Sequence, residues 1–272
     1  MNIKSLKSSV QSFWNKASCG EEAHARGEND LEKFETHAKE RYELEPYIHP
    51  FANFINGRGL DVLEIGVGMG ADHAEWAKYG ANLTGVDLTE RAINNTKNRF
   101  KLLGLKSKLQ TADAENLPFK DNTFDTVYSW GVIHHSPNTP VAVKEIHRVL
   151  RTGGSAKIMI YHTYALTGFM LWVRYSLLKG KWLSLAEIYS QYLESPGTKA
   201  YTKTQARKMF EEAGFQNIKI KIQLNHGDLL QGAVGQRHGG KLLTLAKACW
   251  PRWFFHIFTP FLGLYLLIEA QK

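Results

Sequence analysis

Apolar and polar residues alternate in blocks through the middle of the chain. Asp61 to Ile65 is a short apolar run that ends in a glycine cluster, a length and a boundary that suit a buried strand. Ala71 to Tyr79 has helical spacing. Asn82 to Leu88 is a second apolar run, ending at Asp87. Thr89 stands where a helix N-cap belongs and opens a helix that runs to about Leu103. Lys108 to Ala112 and Phe124 to Gly131 predict the third and fourth strands, the latter through the β-rich run Phe-Asp-Thr-Val-Tyr-Ser-Trp. A helix over Thr139 to Leu150 is stopped by Arg151-Thr152-Gly153-Gly154, and Ser155 to Tyr161 is the fifth strand. Strands and helices that alternate in this way predict a parallel, doubly wound α/β sheet. Right-handed crossovers then bring the strand carboxyl ends to one edge, where such sheets bind ligands.

The flanks differ. Residues 1–58 are mostly helical in pattern, mixed in charge and rich in aromatics. Residues 163–203 and 225–258 break the alternation. Between them lie a helix over Thr204 to Ala213, stopped by Gly214, and an alternating strand over Asn217 to Leu224. Phe261 to Ala270 reads as the last strand. With 272 residues, 43% hydrophobic and 22% charged, the chain has the size of one large domain, or of a core carrying additions. The net charge of +8 favours anionic molecules, a membrane surface or nucleic acid without choosing among them. The basic residues form no dense run in a nucleic-acid motif and there is no separate RNA-binding domain, so a nucleic-acid partner is not expected. Cys19 and Cys249 match no metal spacing, the eleven histidines are scattered, and no metal is expected. The first twenty residues lack the apolar run of a signal peptide, which predicts a cytoplasmic chain with reduced thiols. Trp253 to Ile268 is too short for a membrane span and contains His256, Pro260 and Gly263.

Candidate chemistry gathers at the strand ends. After the first strand comes Glu64-Ile65-Gly66-Val67-Gly68-Met69-Gly70. Glycine serves where backbone must approach a ligand closely or adopt positive φ. The spacing departs from the dinucleotide pattern, so an aminoacyl chain and a ribose suit this turn better than a pyrophosphate. Asp87, closing the second strand, can accept two hydrogen bonds from a ribose diol. After the third strand, Asp113 beside the backbone N–H of Ala114 can read an adenine edge. Asp125 opens the fourth strand, which leads into Gly131-Val132-Ile133-His134-His135. Each feature alone is an ordinary turn, cap or strand end. Their order at successive strand ends is what points to a site.

Val62 to Gly70, Gly85 to Leu88, Thr111 to Phe119, Phe124 to Pro137 and Glu145 to Gly154 resemble the class I S-adenosylmethionine (SAM)-dependent methyltransferases, in the branch holding the ubiquinone and menaquinone methyltransferases. The resemblance covers roughly residues 45–162. It implies a Rossmann-like α/β fold with a seven-stranded, mostly parallel sheet, its last strand antiparallel and helices on both faces. Residues 1–58 would be a helical lid and 59–272 the methyltransferase domain, with insertions 163–203 and 225–258, after strands five and six, forming the acceptor side. The implied cofactor is SAM and the product S-adenosylhomocysteine (SAH). Glu64, Gly66, Gly68 and Gly70 would line the methionine moiety, Asp87 would hold the ribose, and Asp113 with Ala114 the adenine. Leu88, Glu115, Trp130 and His135 complete the expected cofactor contacts, and Tyr42 is the expected lid contact. Thr152 stands where the family usually has proline.

Methyl transfer from a sulfonium needs a base only where the acceptor must lose a proton. His134 and His135 are the candidates, with Tyr161, His162, Tyr201 and Lys203 behind them. The flanking segments combine aromatics with Arg174, Lys179, Lys181, Lys199, Lys203 and Arg237, a mixture that suits a small or lipid-like acceptor with an anionic group. Methylation at oxygen is expected. C-methylation of a quinone or polyketide precursor is the alternative, and RNA methylation or a non-catalytic binding role are weaker ones. The aromatic run Ala248 to Phe261 is expected to pack as a helix on the sheet; a lid over the acceptor and contact with a membrane surface are its other readings.

Overall fold

In the computed structural model, residues 3–231, 247–248, 250–257 and 259–272 are described. Seven strands form one sheet in the order β3-β2-β1-β4-β5-β7-β6. They are β1 (Asp61–Ile65), β2 (Asn82–Asp87), β3 (Lys108–Thr111), β4 (Phe124–Trp130), β5 (Leu150–Tyr161), β6 (Gln216–Gln223) and β7 (Tyr265–Gln271). β7 runs antiparallel to both of its neighbours, and the β1, β2, β3, β4 and β5 pairings are parallel. The expected seven-stranded Rossmann-like sheet is therefore present.

The helices of the described residues include α1 (Ile3–Lys16), α2 (Glu21–His24), α3 (Asp30–Leu44), α4 (Ile48–Ala52), α5 (Ala71–Lys78), α6 (Glu90–Leu102), α7 (Thr139–Val149), α8 (Leu166–Tyr175), α9 (Leu185–Ile188) and α10 (Lys203–Glu212). Two short helical segments, Arg252–His256 and Thr259–Leu262, precede β7. The sheet is apolar on both faces, as strands covered on both sides must be. Val127 on β4 and Ile158 on β5 pack with Ile146 of α7 and Phe210 of α10. Their neighbours Tyr128 and Met159 point the other way, to Phe51 of α4, Trp76 of α5 and Phe100 of α6. The period of two along each strand thus divides the core between two helical layers. Thr89 caps α6 as its position predicts, accepting from the Ala92 N–H.

Two boundaries differ from the sequence expectation. α7 does stop there, at Val149, but Leu150 to Gly154 is already the start of β5. Leu150 pairs with Phe124 across a bulge, and Gly153, at φ 80°, donates its N–H to the Lys272 carbonyl. β7 begins at Tyr265, four residues later than expected. Before it, Gly263 lies so close to β6 that an added Cβ would stand 2.3 Å from the Gln223 carbonyl carbon. Only after that crossing can the chain enter the sheet. Among the described residues no helix is long and apolar enough to cross a membrane.

Candidate active site

A cavity of about 560 Å³ opens at the carboxyl ends of β1, β2, β4 and β5, beneath α1 and α3. The turn after β1 forms one wall. Gly66 has φ 87°, and a Cβ there would lie 2.1 Å from Val132, so the residue must be glycine on both counts. Gly68 has φ 53° with nothing within 4 Å of its Cβ position, which leaves backbone bare to the cavity. Gly70 stands outside the wall, against Thr96. Asp87 accepts from the Gly68 N–H at 3.3 Å and from the Thr89 N–H and hydroxyl, both at 2.9 Å, and faces the cavity beside Leu88. These donors fix a carboxylate that keeps lone pairs for a ligand.

Asp113 and Ala114 also line the cavity. Lys7 of α1 pairs with Asp113 and reaches Glu115 at 3.0 Å. Glu115 itself accepts from Ser136 and from the Asn138 N–H and lies outside the wall. Trp130 is on the wall. Tyr42 is not: its hydroxyl donates to Asp72 at 3.1 Å, and its neighbour Arg41 lines the cavity instead, forked onto Asp72 at 2.9 and 2.7 Å. Asp72 also accepts from Tyr128 at 2.7 Å. Although burial opposes it, the Arg41 charge holds the Asp72 carboxyl below its usual range.

Glu64 is buried at the end of β1, with its carboxyl 2.9 Å from His73 Nδ1. The other His73 nitrogen lies 2.8 Å from the Ser107 hydroxyl, which donates its proton to the Leu83 carbonyl. In the tautomer where Ser107 keeps that bond, it accepts from His73 Nε2–H. Burial pushes His73 down to about 3, so the ring is neutral and Nδ1 carries a lone pair. The proton between the two groups then belongs to Glu64. Burial, reinforced by Asp72, accordingly raises the Glu64 carboxyl well above its usual range. A Cβ on Gly85 would lie 2.6 Å from the His73 ring, so β2 makes room for this pair.

The far end of the cavity is aromatic and acidic. Trp14, Trp130, Tyr161 and Tyr265 line it with Glu45 and Glu194. Tyr161 and Tyr265 lie parallel, 6.0 Å apart, and each hydroxyl donates to a carboxylate: Tyr161 to Glu194 at 2.8 Å, Tyr265 to Glu45 at 2.5 Å. His135 is on the wall and His134 is not. The His134 ring is fully buried, tilted at 42° against His135 at 4.2 Å and against Tyr161 at 4.0 Å, and neither of its nitrogens has a hydrogen-bond partner among the described residues. Burial drives its pKa well below the usual value. His135 Nδ1 lies 3.0 Å from Thr198 Oγ1 and 2.9 Å from Ser195 Oγ. Thr198 gives its own proton to the Ser195 carbonyl, so Nδ1 donates to Thr198 in one ring tautomer and accepts from the Ser195 hydroxyl in the other. Nε2 stands 3.3 Å from Glu194 Oε2 without the geometry of a hydrogen bond.

Tyr161 is thus in the site, whereas His162, Tyr201 and Lys203 are not on its wall. The expected acceptor-side cations are also elsewhere. None of Arg174, Lys179, Lys181, Lys199 or Lys203 lines the cavity, and Arg237 lies outside the described residues. Lys199 bonds the Ser136 carbonyl. Among the described residues the wall has seven carboxylates and two permanent cations, Lys7 and Arg41, both already paired. Among the described residues an anionic acceptor group finds no unpaired cation on that wall. Among the described residues His134, His135 and Glu194 also form the one group whose ligand-type atoms all lie within 4.8 Å of one another, as in a metal site.

Sequence reasoning missed Lys7, Trp14, Asp72, Glu194, His226 and Tyr265, which line the same cavity. Asp72 follows the glycine turn, and that adjacency was a usable signal. The others arrive from distant segments with no local mark.

The strand order with an antiparallel β7, and the glycine turn and acidic residues at successive strand ends, define a class I SAM-dependent methyltransferase fold. Residues 63–158 match the family described as methyltransferase domain. It is similar to the sterol 4-C-methyltransferase of Caenorhabditis elegans, 32% identical over 49% of this chain and 36% of that protein. It is also similar to the demethylmenaquinone methyltransferase of Tropheryma whipplei, 28% identical over 60% and 69% of the two chains. The chain spans 36% to 42% of the length of the first curated relatives it matches. Among solved structures, a phosphoethanolamine N-methyltransferase of Haemonchus contortus in complex with SAM aligns with TM-score 0.58 at 19% identity, over 85% of this chain and 52% of that one. The cyclase SpnF aligns with TM-score 0.55 at 16% identity over 99% and 94%. Likeness at these identities concerns the fold alone.

Proposed function

We propose that the protein transfers the methyl group of SAM to a small or lipid-like acceptor. One observation carries this reading: a single cavity joins the glycine turn, Asp87 and Asp113 to a second compartment walled by His135, Tyr161, Glu194 and Tyr265. The residues present fit the cofactor. Bare backbone at Gly68, a fixed acceptor at Asp87 and a buried carboxyl at Glu64 offer what a methionine moiety and a ribose need. When bound, SAM supplies an activated methyl on a sulfonium. The chain's own groups position the acceptor, exclude water and receive its proton at His135 Nε2. Residues 1–58 act as the lid, through Lys7, Trp14 and Arg41.

The sequence reading places the accepting atom at oxygen, with carbon of a quinone or polyketide precursor as the alternative. Relatives named for sterol and menaquinone methylation support a lipid-like acceptor. Peripheral membrane contact belongs to the same proposal. Phe255 and Leu262 pack on the protein, but Trp253 is 75% exposed, and Phe254, Ile257 and Phe261 are exposed with it. Trp182, 87% exposed, and Leu178 project near Lys179 and Lys181 in sequence. Aromatic and basic residues together suit a headgroup zone.

Calorimetry with SAH tests the cofactor half of this reading. Asp87→Ala removes a charged acceptor and should weaken SAH by about tenfold to a hundredfold. Unchanged affinity removes Asp87 from the site. Transfer of labelled methyl from SAM into an extractable product tests the acceptor half.

A further inference from the structure

His226 stands shortly after β6, in the turn Asn225-His226-Gly227-Asp228, and lines the cavity. Asp228 is fully buried and pins that turn. Its carboxylate accepts from the Asn225 N–H at 3.1 Å, from the Leu264 N–H at 2.7 Å, and from the Thr167 N–H and hydroxyl at 2.9 and 2.8 Å. Its own N–H donates to the Asn225 side chain at 2.7 Å. The turn is thus tied to the start of α8 and to the residue before β7, which gives the ring a rigid base. That ring faces a carboxylate. His226 Nδ1 lies 3.5 Å from Glu45 Oε1, at the end of α3, and has no hydrogen-bond partner among the described residues. Glu45 is itself fixed, accepting from the Tyr265 hydroxyl at 2.5 Å and facing Arg41 at 3.6 Å. Burial opposes its charge, yet His226, Arg41 and the Tyr265 hydroxyl hold its carboxyl below the usual range. An ionised carboxylate only accepts hydrogen bonds, so it repels a lone pair and the neutral ring carries its hydrogen on Nδ1. A hydroxyl partner can turn either way; a carboxylate leaves one tautomer. Nε2 then holds the lone pair, on a side chain 23% exposed in a residue of the cavity wall. Burial also opposes charge on the ring, but Glu45, Asp228 of its own turn and Glu194 together raise its pKa above the ordinary value.

We infer that His226 Nε2 is a proton acceptor for methyl transfer, a catalytic residue in addition to His135. This rests on the methyltransferase reading and gives the site a base whose free lone pair does not depend on the tautomer of His135. The acceptor hydroxyl gives its proton to Nε2 while an oxygen lone pair attacks the methyl carbon. A C–O bond forms, the C–S bond breaks with its electron pair returning to sulfur, and SAH is neutral. The positive charge passes from sulfur to the His226 ring, where Glu45 faces it, and the ring then releases the proton to solvent.

Nitrogen NMR of the full chain loaded with SAH reads the ring directly, with the signal assigned by its loss in His226→Gln. Neutral His226 should carry its hydrogen on Nδ1 and titrate above an ordinary histidine. In Glu45→Gln that pKa should fall by at least about one, as removal of a close opposite charge requires. Transfer of labelled methyl from SAM into a total lipid extract reads the function. His226→Gln should lower the rate by about 10²–10⁴ and keep its SAH affinity, which also shows that the variant is folded. In the unmodified chain the rate should fall as pH drops through the pKa read by NMR, because protonation removes the lone pair. A neutral ring with its hydrogen on Nε2 overturns the inference. So does a pKa indifferent to Glu45→Gln, or near-full transfer by His226→Gln. Failure of SAH itself to bind the unmodified chain counts against the methyltransferase reading instead.

Discussion

SAH binding should release about one proton, and that proton comes from Glu64. The starting state is one tautomer of His73, with the raised Glu64 carboxyl protonated. Ser107 uses its hydrogen on the Leu83 carbonyl, His73 therefore donates from Nε2, and the neutral ring accepts from a protonated Glu64. With burial holding His73 at about 3, it cannot take the proton over at any pH where the protein is assayed. The amino group of SAH arrives charged, and placed beside Glu64 it favours the carboxylate. Linkage sets the sign. The free protein binds more protons than the complex, so affinity improves as pH rises, by up to about tenfold per pH unit below the Glu64 pKa of the free protein, and levels off above it. Titrating SAH at one pH in phosphate and in Tris, whose ionisation heats differ, reads the proton directly. The two heats should differ by the ionisation heat of about one proton. Glu64→Gln should remove the buffer dependence and weaken binding. Identical heats in both buffers for the unmodified chain, or proton uptake, would refute the tautomer argument.

Two further predictions separate roles that the sequence left together. His135→Ala should lower turnover by about 10²–10⁴ and keep most of the SAH affinity, whereas His134→Ala, emptying a buried site between two rings, should cost on the order of 2 kcal/mol of stability, read as a lower Tm. Near-full activity in both variants would mean that neither histidine takes the proton. The exposed Trp253 face should bind anionic vesicles in co-sedimentation, less at high salt and less in Trp253→Ala; no binding to any vesicle would end the membrane proposal.

The alternation of apolar blocks was enough for the sheet, because strands covered on both faces must be apolar throughout and helices between them must carry one apolar stripe. It failed at Leu150 and at Phe261. At Leu150 the glycines were read as a local helix stop, and at Phe261 Gly263 was counted inside the strand, whereas a partner strand sets the role of each: Gly153 against the end of β7, Gly263 against the end of β6. The packed-helix expectation for Ala248 to Phe261 met a segment that divides its aromatics between protein and solvent, since Phe255 packs and Trp253 does not. Cys249 and Phe258 of that run lie outside the described residues.

The sequence by itself determined what is local to the strand ends. Asp87 closes β2, and Gly66, Asp113 and His135 sit shortly beyond β1, β3 and β4; a parallel sheet with right-handed crossovers brings those positions to one edge whatever the loops do. It could not determine what meets them there. Lys7 reaches Asp113 across 106 positions, His135 meets Ser195 across 60, and Tyr265 reaches Glu45 across 220. Such contacts depend on how the flanking segments fold over the edge, and no spacing in the chain encodes that distance. Charge shows the difference most plainly. The chain is basic overall, yet tertiary packing turns seven carboxylates into the cavity and leaves Lys179, Lys181, Lys199 and Lys203 outside its wall, because a buried site takes its potential from the few groups that face it and not from the net charge of the surface.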